Sequence, residues 1–283
     1  MILKQFATFA RQMVITHHDL KPPLTCEIIV FRKFIRRWDG RLRKYANRYF
    51  NFPDLIKDKD FQNIYSKVVT DKSRYTLTTM ERCYSLYKTI QYIAEGNVLG
   101  DIVECGVWRG GSAMLAALTL IENKQTHRKI YLYDTYEGMP EPTDKDIDLH
   151  GTPYRLVWEK EKEGLTVALD EVKENMFSTG YPKENIIFVK GMVEDTIPNT
   201  VPNQVALLRL DTDLYESTYH ELIHLYPKVT PHGVIIIDDY GHFQGAQEAT
   251  DKYFNQESQK VLFHRIDYSC RVGIKPAAPL KIS

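Results

Sequence analysis

Cysteine is scarce in this chain, with four in 283 residues, and Cys26, Cys83, Cys105 and Cys270 form no C-x-x-C pair. That spacing excludes a zinc knuckle and a dense disulfide scaffold, and leaves reduced, partly buried thiols as the expectation. Long apolar runs are also missing. No stretch approaches the roughly 20 apolar residues that a membrane span needs, and the N-terminus "MILKQFATFARQMVITHHDLK" lacks the apolar core and small-residue cleavage site of a secretory leader. The expected setting is therefore cytoplasmic, without a membrane partner. An excess of one charge is absent too, since Lys plus Arg and Asp plus Glu each number 37, so no global field favours nucleic acid.

What is present is ordinary globular composition, 43% apolar and 26% charged. The length suits one catalytic-size domain with an extension. Residues 1–72 are basic and aromatic, as in "FRKFIRRWDGRLRKYANRYFNFPDL", and read as helices and loops; a solvated helix face explains the charges more simply than phosphate contacts do. Residues 75–97 place Met80, Cys83, Leu86, Tyr87, Ile90 and Ile93 at three- and four-residue intervals, which predicts an amphipathic helix stopping at Gly96 and Asn97.

From Asp101 the pattern changes to short apolar runs between helical segments: "DIVECG", "KIYLYD", "NIIFVKG", "VALLRLD" and "GVIIIDD". Runs buried on both faces and alternating with helices predict a mostly parallel, doubly wound α/β sheet over residues 73–283. The segment "KVLFHRIDYSCRVGIK" predicts a closing antiparallel pair. Residues 138–184 form a long insertion with charged "TDKDID", "HGTPYRLVW" and a helix over "LTVALDEVKENMF", suited to a lid or binding loop.

Two groups of residues carry chemistry. Glu104, Gly106, Gly110, Gly111 and Ser112 make a strand–glycine turn–helix unit, which brings backbone N–H groups and a helix N-terminus to a ligand. Its spacing departs from the G-x-G-x-x-G of nicotinamide and flavin dehydrogenases. Asp134, with Thr135, ends the next strand and can reach two ribose hydroxyls. Acids around a glycine turn suit a ligand with ribose hydroxyls and a cationic amino-acid end, which points towards S-adenosylmethionine. Gly191 and Met192 end the third strand, where an adenine ring would lie.

The second group is Asp211, Asp213, Asp238 and Asp239, at the ends of "VALLRL" and "VIII". Ligands bind beyond the carboxyl ends of parallel strands, so these acids share a rim with Glu104 and Asp134. Carboxylates converging within about 4 Å repel by about 4 kcal/mol per pair at an effective dielectric of 20. A cation or protons must compensate, and oxygen-only ligands favour a hard ion such as Mg²⁺. Adjacent side chains in a strand point to opposite faces, so Asp238 and Asp239 can share one ion only if the strand has begun to turn. His242, four residues after Asp238, is a candidate base beside Asp211.

The combination "GDIVECGVWRGGSAM", "YLYDTYEGMPEPT", "VKGMVEDTIP", "LRLDTDLYEST" and "IIIDDYGHFQGAQEA" closely resembles the macrocin O-methyltransferase family, the TylF/MycF/NovP-like enzymes, over roughly residues 73–275. The resemblance implies a Rossmann-like class I fold and methylation of a hydroxyl, commonly on a deoxysugar of a glycosylated natural product, with S-adenosylmethionine and Mg²⁺. It puts the metal triad on Asp211, Asp238 and Asp239, with Asp211 also as base, and the cofactor acids on Glu104 and Asp134. Cofactor contacts are then expected from Glu104, Gly106, Gly110, Ser112, Asp134, Thr135, Gly191, Met192 and Asp211. It further implies that the N-terminal region and the insertion shape the acceptor pocket and a homodimer. Two rivals remain: a metal-dependent glycosyltransferase using Asp211-Thr212-Asp213 as its D-x-D, and a polyanion-binding module built on the basic N-terminal run.

Overall fold

A computed structural model describes residues 53–70, 73–258 and 260–277. The basic run expected to form the N-terminal extension, and Cys26 with it, lie outside the described residues except for residues 53–70. The chain divides into two compact units, residues 1–56 and 57–283; the second is described here.

Its first helix, α1 (Lys59–Val68), starts where the Asp58 carboxylate accepts the Phe61 N–H at 3.0 Å, and it buries Phe61, Ile64, Tyr65 and Val68. Helix α2 (Met80–Glu95) carries the apolar stripe read from the sequence and ends at Gly96. It begins five residues later than expected. Thr79 caps it by accepting the Arg82 N–H, and the preceding chain is drawn off to the glycine turn, where the Tyr75 carbonyl accepts the Gly111 N–H at 2.9 Å.

The five expected parallel strands form: β1 (Asp101–Cys105), β2 (Ile130–Asp134), β3 (Ile186–Lys190), β4 (Val205–Leu210) and β5 (Val229–Ile237). The closing pair β6 (His264–Arg265) and β7 (Arg271–Ile274) is antiparallel. The sheet order is β3-β2-β1-β4-β5-β7-β6. Helix α3 (Gly111–Glu122) follows β1 and is apolar on nearly every face, as a helix between a sheet and an outer helix must be. The strand order reverses between β1 and β4, and at such a switch point the loops diverge and leave a crevice.

The insertion holds two helices, α4 (Arg155–Leu165) and α5 (Leu169–Phe177), where the sequence suggested one. Thr166 is extended after α4 and Ala168 precedes α5, so the apolar start of "LTVALDEV" is a connector. Helix α6 (Tyr215–Leu225) follows β4, and α7 (Gln244–Gln256) follows β5. No helix among the described residues is long and apolar enough to cross a membrane.

Candidate active site

Strand register decides what meets in the crevice. Glu104 on β1 pairs directly with Arg209 on β4, and Arg209 pairs with Ile236 on β5. Alternation then puts Asp211 and Asp238, each two residues further along, on the same face. The contacts follow that arithmetic. The Arg209 guanidinium donates from Nη1 to Glu104 Oε1 and Asp211 Oδ2, each at 2.7 Å, and from Nη2 to Asp238 Oδ1 at 2.8 Å and Thr78 Oγ1 at 3.2 Å. Arg82 on α2 takes the other oxygen of Asp238, Oδ2, and donates from Nε to Asp267 at 2.7 Å. These arginines and Thr78 did not emerge from the sequence reading. The available signal was an arginine inside the buried run "VALLRL", a position that demands acidic partners.

The glycine turn is tied down from β2. Asp134 Oδ2 accepts the N–H groups of Val107 at 2.7 Å and Trp108 at 3.1 Å, while Oδ1 accepts from Tyr136. Gly106 sits at φ +83° with the Asp211 carbonyl oxygen 2.0 Å from where a Cβ would be, so only glycine lets β1 pass so close to the β4 loop. Gly106, Ser112, Asp134, Thr135, Gly191 and Met192 all line one cleft of about 350 Å³, and Asp211, Asp213, Asp238, Asp239 and His242 line it as well. Glu104 and Gly110 do not line it. Glu104 is buried behind the cleft wall, and Gly110 faces Val172 of α5.

The acids of the cleft differ in their partners. Asp239 belongs to a turn in which its carbonyl accepts the N–H groups of His242 and Phe243 at 3.0 Å each, which swings its side chain away from strand alternation. Its carboxylate meets Asp211 and Asp213, and the three offer oxygens within 4.8 Å of one another. The expected grouping of Asp211, Asp238 and Asp239 and the observed one therefore differ by one residue: Asp238 is held by two guanidiniums, and Asp213 stands beside Asp239. Asp239 Oδ2 is buried without a hydrogen-bond partner among the described residues. Burial pushes Asp213 up to about 7, against a hydrogen bond with Asp239, and Asp211 and Asp238 add to the rise. Burial also raises Asp211 and Asp239 well above the usual carboxylate range. Three close oxygen ligands, one orphaned and all costly to ionise, fit a hard divalent cation.

His242 lies at the cleft mouth, its Nδ1 3.2 Å from the Tyr268 hydroxyl, and burial lowers its pKa. The insertion forms the roof. Trp108 donates its indole N–H to the Gly164 carbonyl at 3.1 Å, and the Tyr154 hydroxyl donates to Glu161 at 3.0 Å.

The sequence profile of the family described as Macrocin-O-methyltransferase (TylF) matches residues 44–272. Among curated relatives, 8-demethyl-8-(2,3-dimethoxy-alpha-L-rhamnosyl)-tetracenomycin-C 4'-O-methyltransferase of Streptomyces olivaceus is 34% identical over 59% of this chain and 62% of its own length. Demethyldecarbamoylnovobiocin O-methyltransferase of Streptomyces niveus is 32% identical over 63% of this chain and 67% of its own length. The chain thus spans somewhat under two thirds of the first of these relatives. Among solved structures, the O-methyltransferase NovP superposes with a TM-score of 0.65 at 26% identity, covering 76% of this chain and 88% of that one. The calicheamicin methyltransferase CalS11 shares the fold at a TM-score of 0.56 and 18% identity, covering 82% and 90%.

Proposed function

The chain belongs to the Macrocin-O-methyltransferase (TylF) family, and from that premise we propose that it methylates a sugar hydroxyl of a glycosylated natural product or saccharide, using S-adenosylmethionine and Mg²⁺. The observation that carries this reading is the joint lining of one cleft by the glycine turn with Asp134 and by the acidic group of Asp211, Asp213 and Asp239. The rhamnosyl group in one relative's printed name supports a sugar acceptor. A D-x-D glycosyltransferase would leave the glycine turn and Asp134 without a role.

S-Adenosylmethionine supplies an electrophilic methyl group, and a divalent cation lowers the pKa of an acceptor hydroxyl and fixes its position. The chain's own task is alignment. Ser112 and the Gly106 turn would hold the amino-acid end of the cofactor, Asp134 and Thr135 its ribose, and Gly191 and Met192 its adenine. Asp211, Asp213 and Asp239 would hold the cation, while Arg209 and Arg82 fix Asp238. Asp211 accepts the hydroxyl proton, with His242 the second candidate. Holding the acceptor oxygen behind the methyl converts a bimolecular step into an effectively unimolecular one.

The deciding experiment is methyl transfer from S-adenosylmethionine to panels of glycosides, sugar nucleotides and catechols, with Mg²⁺ or with EDTA. Transfer to a sugar hydroxyl that EDTA abolishes is expected. Activity persisting in EDTA would remove the cation from the reaction, and transfer confined to catechols would overturn the acceptor class. Asp211→Asn should lower kcat about 100-fold or more if Asp211 is the base, and His242→Asn should cost less than tenfold; the reverse order would move the base to His242.

A further inference from the structure

A carboxylic acid that the reaction does not touch lies directly beneath the acidic loop. Glu221 on α6 is 0% exposed, and none of the ion pairs among the described residues includes it. Its carboxyl lies 3.1 and 3.2 Å from the Thr212 hydroxyl, and the buried Cys105 thiol at the end of β1 is its other hydrogen-bond partner. Burial raises its pKa well above the usual range, with Glu194 and Asp211 nearby adding to the rise. The Thr212 hydroxyl thus meets a carboxyl that is fully enclosed by the protein.

Thr212 stands between two residues of the acidic group, so its direction governs theirs. The Thr212 hydroxyl donates to the buried Glu221 carboxyl, while Asp211 and Asp213, its neighbours in the chain, line the cleft and half-buried Thr212 borders it between them. That arrangement is not relaxed, because Asp213 sits at φ +67°, a left-handed conformation for a residue that is not glycine. Such conformations persist where the surroundings over-determine them. Here the Asp211 N–H donates to the Cys105 carbonyl at 2.8 Å, the Leu214 N–H donates to the Thr212 carbonyl at 2.8 Å, and the Thr212 side chain is held by Glu221.

We propose that Glu221 is a positioning residue for the cation-binding loop: its buried carboxyl anchors Thr212 and thereby aims the carboxylates of Asp211 and Asp213 at one ion. The inference rests on the cation reading above, and partners of this outer kind typically change metal affinity about 10–100-fold when removed.

The test is calorimetric titration of the metal-stripped full-length protein with Mg²⁺, and separately with S-adenosylhomocysteine. Glu221→Gln keeps a neutral hydrogen-bonding group of the same shape and should hold Mg²⁺ within about twofold of the parent protein. Glu221→Leu should weaken Mg²⁺ about tenfold or more while S-adenosylhomocysteine affinity changes less than about threefold. Thr212→Val should reproduce that loss and carries the test if Glu221→Leu does not fold, and the double variant should be no weaker than either single one. Three results would overturn the proposal: parental Mg²⁺ affinity in Glu221→Leu and Thr212→Val, a Glu221→Gln variant as impaired as Glu221→Leu, or equal loss of both ligands. A parent protein that takes up no Mg²⁺ would instead bring down the cation reading itself, and this inference with it.

Discussion

At Arg209 one guanidinium, 3% exposed, holds Glu104, Asp211 and Asp238 together with the Thr78 hydroxyl. Burying a charge is costly, and the cost is offset only while every partner stays in place. Arg209→Met removes the shared cation and leaves three acids facing each other, so a loss of about 3–5 kcal/mol in stability is expected by urea denaturation. Arg209→Lys should recover only part of it, because an ammonium cannot reproduce the planar fork that spans four acceptors. A Met variant as stable as the parent protein would mean the acids are neutral without it. The sequence made the acids legible, since each ends an apolar run, but not that two guanidiniums hold Asp238 while Asp213 joins Asp211 and Asp239. That division depends on the register of β1 against β4 and on the turn at Asp239, neither of which is encoded locally. Asp213, which the sequence presented only as a neighbour of Asp211, offers a carboxylate oxygen within 4.8 Å of those of Asp211 and Asp239.

Among the elements, the insertion shows most clearly where local reading stops. The run "TDKDID" looks like a solvated charged loop, yet Asp146 within it is 1% exposed. Its Oδ2 accepts from the N–H of Thr143 at 2.7 Å and from its hydroxyl at 2.9 Å, and its Oδ1 accepts the Tyr215 N–H at 2.8 Å, at the first turn of α6. One carboxylate therefore staples the start of the roof to the helix that follows the acidic loop, in the manner of a distant N-cap. The Ile147 carbonyl adds to it by accepting the Gln244 N–H at 2.8 Å, at the start of α7. Asp146→Ala strands the N–H groups of Thr143 and Tyr215, and a loss of about 1–3 kcal/mol is expected. Amide exchange should also rise selectively across residues 140–165, since α4 fully buries none of its side chains and depends on a few hydrogen bonds such as those of Gly164 and Glu161. Uniform exchange across the unit in that variant would show that the roof is fixed elsewhere. By contrast, the strands and α2 were readable in the sequence because burial on two faces, or on one stripe, is written in their own residues.

For the whole molecule, charges that balance along the chain do not balance in space. In and behind the cleft, Glu104, Asp211, Asp213, Asp238 and Asp239 gather near Arg209 and Arg82, a concentration that the even count of 37 and 37 conceals. Burial pushes Glu104 up to about 7 from an ordinary 4.5, with Arg209 opposing and Asp238 adding; Asp213 reaches about 7 from 3.8. For acids whose folded values are raised, the folded protein holds protons that the unfolded chain has released. Their stabilising contribution is complete below the ordinary carboxylate range and is lost as pH rises through about 7. Asp58 and Asp267, whose values are lowered, act in the opposite sense only as pH falls below the ordinary 3.8. His242 and His224, lowered by burial from 6.5, oppose the trend below about 6.5 but are outnumbered by the raised acids Glu104, Asp211, Asp213, Glu221 and Asp239. Protein free of cation and cofactor should therefore lose stability between pH 5.5 and pH 8. A cation binds the ionised acids and competes with those protons, so Mg²⁺ should raise Tm more at pH 8 than at pH 6, by linkage worth about 2.7 kcal/mol at a hundredfold excess over Kd. Thermal denaturation at both pH values, with Mg²⁺ and with EDTA, reads this directly, and equal Mg²⁺ shifts at the two would disconnect the buried acids from the ion.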